Sequence, residues 1–263
     1  KEALLLIDTI LKNHSDCEEA LALRTFIYQK KKRTFSLSYH NTSFTNPALQ
    51  PWHLMYLEYK QNIQKVPSVF RLNYGNMYMK SEGQFELDLY PKLTLSSYLY
   101  LNAGASEGKY IFPQIRGGVE YYKNVNKTDL SIGVRYLRFK STQVTLATGQ
   151  ISSTIRNWII SYRPFVSVVG KNLYPSHTFI FKIPNEVKEA FLQFDIQYGN
   201  VPYNFYFLNE FVRVNSIRAG IQCQFRIKSS VFIRPVFMYE YEEYYPEKYR
   251  NRYNSQIIIT KRI

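Results

Sequence analysis

Asp129-Leu130-Ser131-Ile132-Gly133-Val134-Arg135-Tyr136 alternates strictly between polar and apolar positions. Successive side chains of a strand point to opposite sides, so Leu130, Ile132, Val134 and Tyr136 share one face while Asp129, Ser131, Gly133 and Arg135 share the other. The same alternation recurs from residue 34 to the C-terminus, with aromatics near the strand ends. A sheet closed on itself, with lipid outside and water inside, satisfies one greasy face and one charged face on every strand. The expected fold class is all-β, an antiparallel transmembrane β-barrel of the bacterial outer membrane.

Composition supports this choice. The 263-residue chain holds 24 Tyr and 18 Phe, so that 17% of it is aromatic, as suits a wall that crosses two membrane interfaces. Mean hydropathy is −0.32, too polar for a helical membrane protein. No stretch approaches the roughly 18 apolar residues that a spanning helix needs. A soluble β-sandwich also alternates; the length and number of the strands and the charged links between them weigh against it.

A net charge of +14 raises the question of nucleic acid. The basic residues, however, are scattered singly along strands, as in Arg71, Arg116, Arg135, Arg218, Arg226 and Arg234, whereas nucleic-acid binders gather them on one face or arm. The one dense run, Lys30-Lys31-Lys32-Arg33, reads as solvated or headgroup-facing charge. Cys17 and Cys223 lie far apart, too few for a disulfide framework and without the spaced partners of a metal site. No metal or cofactor is expected.

Residues 1–32 differ in kind. Ala3, Leu4, Ile7, Ile10 and Leu11 recur at helical spacing until Asn13-His14-Ser15-Asp16 interrupts them. Asp16, with Glu19 three residues on, can cap a second helix carried by Ala20, Leu21, Leu23, Arg24 and Ile27. The helical hairpin is similar to the junction of two tetratricopeptide repeats, with His14 where that repeat's turn has proline. One hairpin cannot bury its own apolar face, and stacking of about three repeats is the rule. Either further repeats before Lys1, or packing of the hairpin against the barrel or a partner protein, is therefore expected. With no initiator Met and no signal peptide, the chain reads as processed or truncated upstream.

Residues 33–263 then divide into about fourteen strands, with twelve or sixteen as alternatives. Their spans are 34–44, 52–63, 67–79, 83–90, 93–102, 114–123, 128–140, 143–149, 155–167, 175–183, 190–199, 212–227, 230–242 and 252–262. With the N-terminus periplasmic, tight links such as Pro91-Lys92, Asn124-Val125-Asn126 and Lys228-Ser229-Ser230 fall on the periplasmic side. Longer links, 103–113, 168–174, 200–211 and 243–251, fall outside.

Face assignment fills the lumen with charge: Glu58, Arg71, Glu86, Asp88, Arg116, Glu120, Arg135, Asp195, Arg218, Arg226, Arg234 and Glu240 point inward. An Arg or Lys on the lipid side at mid-membrane would cost roughly 2–4 kcal/mol. Such rows either line a conduit for a hydrated polymer or pair across the lumen and close it. No catalytic constellation accompanies them. The histidines are His14, His40, His53 and His177, and a membrane acyl hydrolase or acyltransferase has one testable pairing, His53 with Ser36 or Ser38.

A repeat-like hairpin running into a tyrosine-rich barrel resembles the YaiO family of outer-membrane β-barrels. The likeness rests on that lead-in, on Ile155-Arg156-Asn157-Trp158-Ile159-Ile160-Ser161-Tyr162-Arg163-Pro164, on Gln197-Tyr198-Gly199-Asn200-Val201-Pro202 and on the final hairpin. The terminal Lys261-Arg262-Ile263 departs from the terminal aromatic common in barrels. The architecture that this resemblance implies looks like that of exporters of poly-N-acetylglucosamine and cellulose. Three functions follow as expectations: a conduit or accessory factor for export of a surface polysaccharide, a non-transporting anchor in an outer-membrane complex, or a lipid-modifying enzyme. Expected partners are outer-membrane lipid or lipopolysaccharide, a polysaccharide, and proteins docking on the hairpin; nucleic acid is not among them.

Overall fold

The computed structural model describes residues 2–14, 17, 19–20, 23, 33–45, 49–199, 215–245 and 247–263. Helix α1 (Glu2–Asn13) precedes fourteen strands: β1 (Thr34–Thr45), β2 (Trp52–Ile63), β3 (Val66–Met77), β4 (Lys80–Leu89), β5 (Ser97–Ser106), β6 (Ile115–Val125), β7 (Thr128–Arg138), β8 (Gln143–Ile155), β9 (Trp158–Val169), β10 (Asn172–Asn185), β11 (Ala190–Tyr198), β12 (Ser216–Lys228), β13 (Val231–Tyr245) and β14 (Lys248–Arg262). Every strand is antiparallel to its sequence neighbours, and β1 pairs with β14 from Thr34↔Arg262 to Thr45↔Asn251, so the sheet has no edge. Fourteen is the expected number. Among the described residues no helix is long and apolar enough to cross a membrane; the crossing is made by strands.

Alternation sets the two surfaces. Leu72, Ile115 and Ile217 are each more than half exposed on the outer wall, while the neighbouring Asn73, Arg116 and Arg218 are buried inside. Apolar side chains exposed around a whole wall suit hydrocarbon rather than water. Cys223 also lies on the outward face, two residues from Ile221 and Phe225, and it is a free thiol.

One rim carries Thr34, Arg262 and the hairpin turns 64–65, 126–127, 156–157 and 229–230; we call it the chain-end rim. The far rim carries 78–79, 107–114, 139–142 and 170–171. Gln64-Lys65 and Tyr78-Met79 hold positive φ at both central positions. That is the type I′ geometry whose twist matches the flanking strands, adopted here without glycine.

Link lengths depart from expectation. Residues 168–174 and 243–251 are not long loops: β9 and β10 meet at Gly170-Lys171, and β13 runs to Tyr245 with β14 resuming at Lys248. Their aromatic residues are strand residues, as in the stacked Tyr241 and Tyr249 rings, 5.1 Å apart. Conversely, Pro91-Lys92 belongs to a longer link over 90–96, and β8 continues past residue 149 to Ile155. The link 200–211 lies outside the described residues. So does nearly all of the second helix expected before residue 32; α1 itself forms, with Ile7 buried and Leu6 and Ile10 exposed.

Closure has a direct check. Leu37 and Ile259 face each other across the β1–β14 seam on the lipid side. In a background lacking the native thiols, Leu37→Cys with Ile259→Cys should cross-link on oxidation of the folded barrel, because directly opposed Cβ atoms lie about 4.5–5.5 Å apart. Absence of the cross-link, with Leu37→Cys and Leu57→Cys bridging normally, would show the seam open.

Candidate functional site: a charged lumen partly closed at one mouth

Pairing register builds the lumen's ion network. Glu58, Arg71 and Glu86 stand directly opposite one another across β2, β3 and β4. The Arg71 guanidinium donates to Glu58 at 2.8 Å and Glu86 at 3.0 Å, and reaches Asp88 at 3.4 Å. The row continues through Gly104 on β5 to Arg116 on β6, whose Nη1 donates to Glu86 at 2.7 Å. Gly104 is what lets that bond form. A Cβ there would stand 2.8 Å from Arg116 Cγ and 2.9 Å from Cδ, on the path the side chain takes. Gly133 plays the same part for Glu120, whose Cβ would lie 2.6 Å from an added methyl. Glu120 in turn accepts from Ser131, Arg135 and Arg163 at 2.6, 3.4 and 3.2 Å.

A third group lies toward the far rim. Arg218 donates to Glu240 at 3.0 and 2.8 Å, Arg250 to Glu242 at 2.5 Å, and Arg252 lies 3.5 Å from both carboxylates. His40 is buried beside it, its Nε2 3.0 Å from Thr42 Oγ1 and 3.3 Å from Asn254 Oδ1. Near the chain-end rim, Glu189 accepts from Arg226 at 3.1 Å and also from Arg262.

Among the described residues, backbone and apolar side chains close part of the lumen toward the far rim. Residues 107–114 fold into the barrel, where Ile111 and Phe112 join Phe44, Trp52, Leu54 and Met77 in a buried cluster. One carboxylate holds the segment: Glu82 accepts the N–H groups of Lys109, Tyr110, Ile111 and Phe112 at 2.8, 3.2, 2.5 and 3.0 Å. A carboxylate has acceptor sites enough for all four donors, which have left the sheet and need partners. Ser106 Oγ closes the neck, donating to Pro113 O at 2.8 Å and accepting from Gly108 N–H at 2.9 Å. The apolar cluster abuts the ion layer, with Arg252 over the Trp52 ring at 5.1 Å and Arg250 over Phe44 at 4.2 Å.

Below this closure is a polar cavity of about 450 Å³. Tyr56, Tyr90 and Tyr100 form an aromatic side, and Arg71, Arg234 and Asp195 are among the charged groups that reach it. Among the described residues Arg234 and Asp195 have no opposite charge within ion-pair distance. Arg234 donates to Gln224 Oε1 at 3.3 and 2.7 Å and lies over the Phe191 ring; Asp195 accepts from Gln193 and Gln222 at 2.8 and 3.4 Å.

All twelve inward assignments therefore fall inside the barrel, in three ion networks, a Glu189 clasp and the cavity. Sequence reasoning missed Glu82, Arg163, Arg250, Arg252 and the lumen tyrosines. Arg163 was legible by parity with Ser161, since both occupy inward positions of β9. The Ser/His pairing fails on geometry. Ser36 and Ser38 are buried in the lumen, whereas His53 lies on the outer wall, stacked on Tyr39 with its Nδ1 2.8 Å from the phenol oxygen.

The YaiO membrane beta barrel domain matches residues 32–204, well over half of the chain. The chain belongs to the YaiO family. No curated protein matches the sequence. Solved structures share the barrel at very low identity. Omp33 of Acinetobacter baumannii aligns with TM-score 0.55 and 10% identity over 89% of this chain and 98% of its own. A bacterial polysaccharide outer membrane secretin gives 0.56 and 6% over 89% and 99%. The CymD monoaromatic hydrocarbon channel gives 0.58 and 6% over 94% and 93%. This YaiO chain is thus a membrane β-barrel, and what it shares with these outer-membrane structures is the fold.

The glycine passage predicts an asymmetry between two nearby positions. Gly104 faces the lumen, whereas an added Cβ at Gly117, on the lipid side, meets only Asn102 O at 3.8 Å. Gly104→Val should lower stability to urea unfolding in detergent by about 1–3 kcal/mol through overpacking, and Gly117→Val by much less. Equal losses would mean that Arg116 does not need the vacant row.

Proposed function

We propose that the barrel is a conduit, or an accessory factor, for export of a surface polysaccharide, and that residues 107–114 hold it shut. The observation that carries this reading is the cavity itself. Saccharide rings stack on aromatic faces and present hydroxyls to charged and amide groups, and Tyr56, Tyr90 and Tyr100 line one space together with Gln222, Gln256 and Asp195. The cavity lies in the half of the barrel nearer the chain ends. With the N-terminus periplasmic, that is the half from which an exported chain arrives. The exposed Leu6 and Ile10 of α1 support docking of a periplasmic protein on the helical lead-in. The polysaccharide secretin is a fold-level parallel, and a shared fold alone does not carry a function across.

A non-transporting anchor is the second reading. The paired carboxylates and guanidiniums that tie adjacent strands together favour it, since a wall braced this way is rigid whether or not anything passes.

Planar-bilayer recording separates the two. On this reading the intact barrel should pass little current, because residues 107–114 obstruct it. Removing the carboxylate with Glu82→Ala, or deleting residues 109–112, should raise conductance several-fold. Adding Arg234→Gln to either opened barrel should then shift its selectivity toward cations, and soluble oligosaccharides should interrupt the current. A barrel that stays silent after both changes is an anchor.

A further inference from the structure

On the lipid side of β6–β9 the wall is hollowed. Outward positions hold the small Ala147 and Gly149 of β8 and Pro164 of β9, flanked by the taller Val119, Ile132 and Val166, and the result is an apolar groove of about 670 Å³. Directly toward the far rim, the same strands carry a second hollow of about 690 Å³ with polar walls: Arg138, Lys140, Ser141, Thr142, Gln143 and Thr145. The two lie next to each other along the wall. Val134 in the groove and Arg138 in the rim hollow are four residues apart on β7, about 13 Å along a strand. Ala147 and Thr145 are successive outward positions on β8, as are Val166 and Val168 on β9.

The rim hollow contains two cations and no carboxylate, and among the described residues no acid pairs with Arg138 or Lys140. A hydrocarbon chain alone would leave these charges unused, and a free anion would leave the groove to disordered lipid. An amphiphile satisfies both.

We propose that this composite hollow binds one phosphate-bearing lipid of the leaflet at the far rim, its acyl chain in the groove over Ala147 and Gly149 and its phosphate between Arg138 and Lys140. A guanidinium and an ammonium give charge-assisted hydrogen bonds to phosphate oxygens. The hydroxyls of Ser141 and Thr145 can complete the shell. The acyl chain gains close contact with a wall that elsewhere bristles with side chains.

The test uses the folded barrel in a maltoside detergent, its folding checked by heat-modifiable gel mobility. Binding of bis-phosphorylated lipid A, of the same lipid with both phosphates removed, and of inorganic phosphate is followed by native mass spectrometry. Phosphorylated lipid should bind at least tenfold more tightly than the dephosphorylated form, with inorganic phosphate weak. Arg138→Ala with Lys140→Ala should erase that preference, and Ala147→Phe, which fills the groove, should weaken both lipids several-fold. Equal binding of the two lipids would reduce the site to ordinary annular contact. Inorganic phosphate binding as tightly as the lipid would make it a small-anion site, and full binding by Ala147→Phe would remove the acyl groove. Any of these three results overturns the proposal.

Discussion

At hydrocarbon depth there is no water to complete a backbone hydrogen bond, so every N–H and C=O of a spanning segment must find its partner in protein. Pairing of β1 with β14 over twelve consecutive positions meets that demand for a sheet by removing its edges. The rest of the structure depends on it. Once the sheet is closed, each residue faces either lipid or lumen. The lipid face must then be apolar almost without exception, and the chain's polar side chains are gathered into one interior.

That concentration of charge is stable only because it is matched locally. A buried charge without a partner is strongly unfavourable, whereas a paired one is close to neutral. The register puts Arg71 between Glu58 and Glu86, within reach of Asp88, so one guanidinium meets three carboxylates. Such a network still needs room. Gly104 and Gly133 leave vacancies in the inward rows, and the long side chains of Arg116 and Glu120 occupy them. Here glycine contributes an absent side chain rather than an unusual backbone angle. Much of the lumen is thus packed with ions where a soluble domain would be packed with hydrocarbon, with apolar clusters confined toward the far rim.

The faces were legible in the sequence, because alternation and the penalty for lipid-exposed charge leave each strand one choice. That is why the inward side of each strand could be assigned from the sequence, although several lumen residues were not named. Their pairing was not legible. Which arginine meets which carboxylate depends on stagger between strands, and Arg116 reaches Glu86 across an intervening strand. Strand ends were obscured where aromatics occur: Tyr241, Tyr245 and Tyr249 resemble a loop in composition yet belong to a paired hairpin. The closure of the far mouth was obscured for a different reason. Ile111 and Phe112 are two apolar residues in a polar link, a signal too short for any periodicity, and the carboxylate that holds them lies on another strand.

Backbone pairing is interrupted between β8 and β9. Pairing runs from Val144↔Val169 to Thr148↔Phe165, lapses, and resumes at Ile151↔Tyr162. Pro164 falls in the gap and has no N–H to offer, which is why proline is rare inside sheets. Side chains bridge the gap instead. Thr148 Oγ1 donates to Pro164 O at 3.1 Å, Arg163 grips Gln150 Oε1 at 3.0 and 2.5 Å, and Ser152 and Ser161 are linked at 2.7 Å. All of these bonds lie on the lumen side, and Arg163 continues inward to Glu120 and Tyr122. The lipid side of the same gap holds Gly149 and Pro164, with Ala147 just beyond it, so the wall is thin outside where it is strapped inside. A charged lumen therefore does more than tolerate its ions: at this seam it supplies the cross-strand bonds that the backbone cannot.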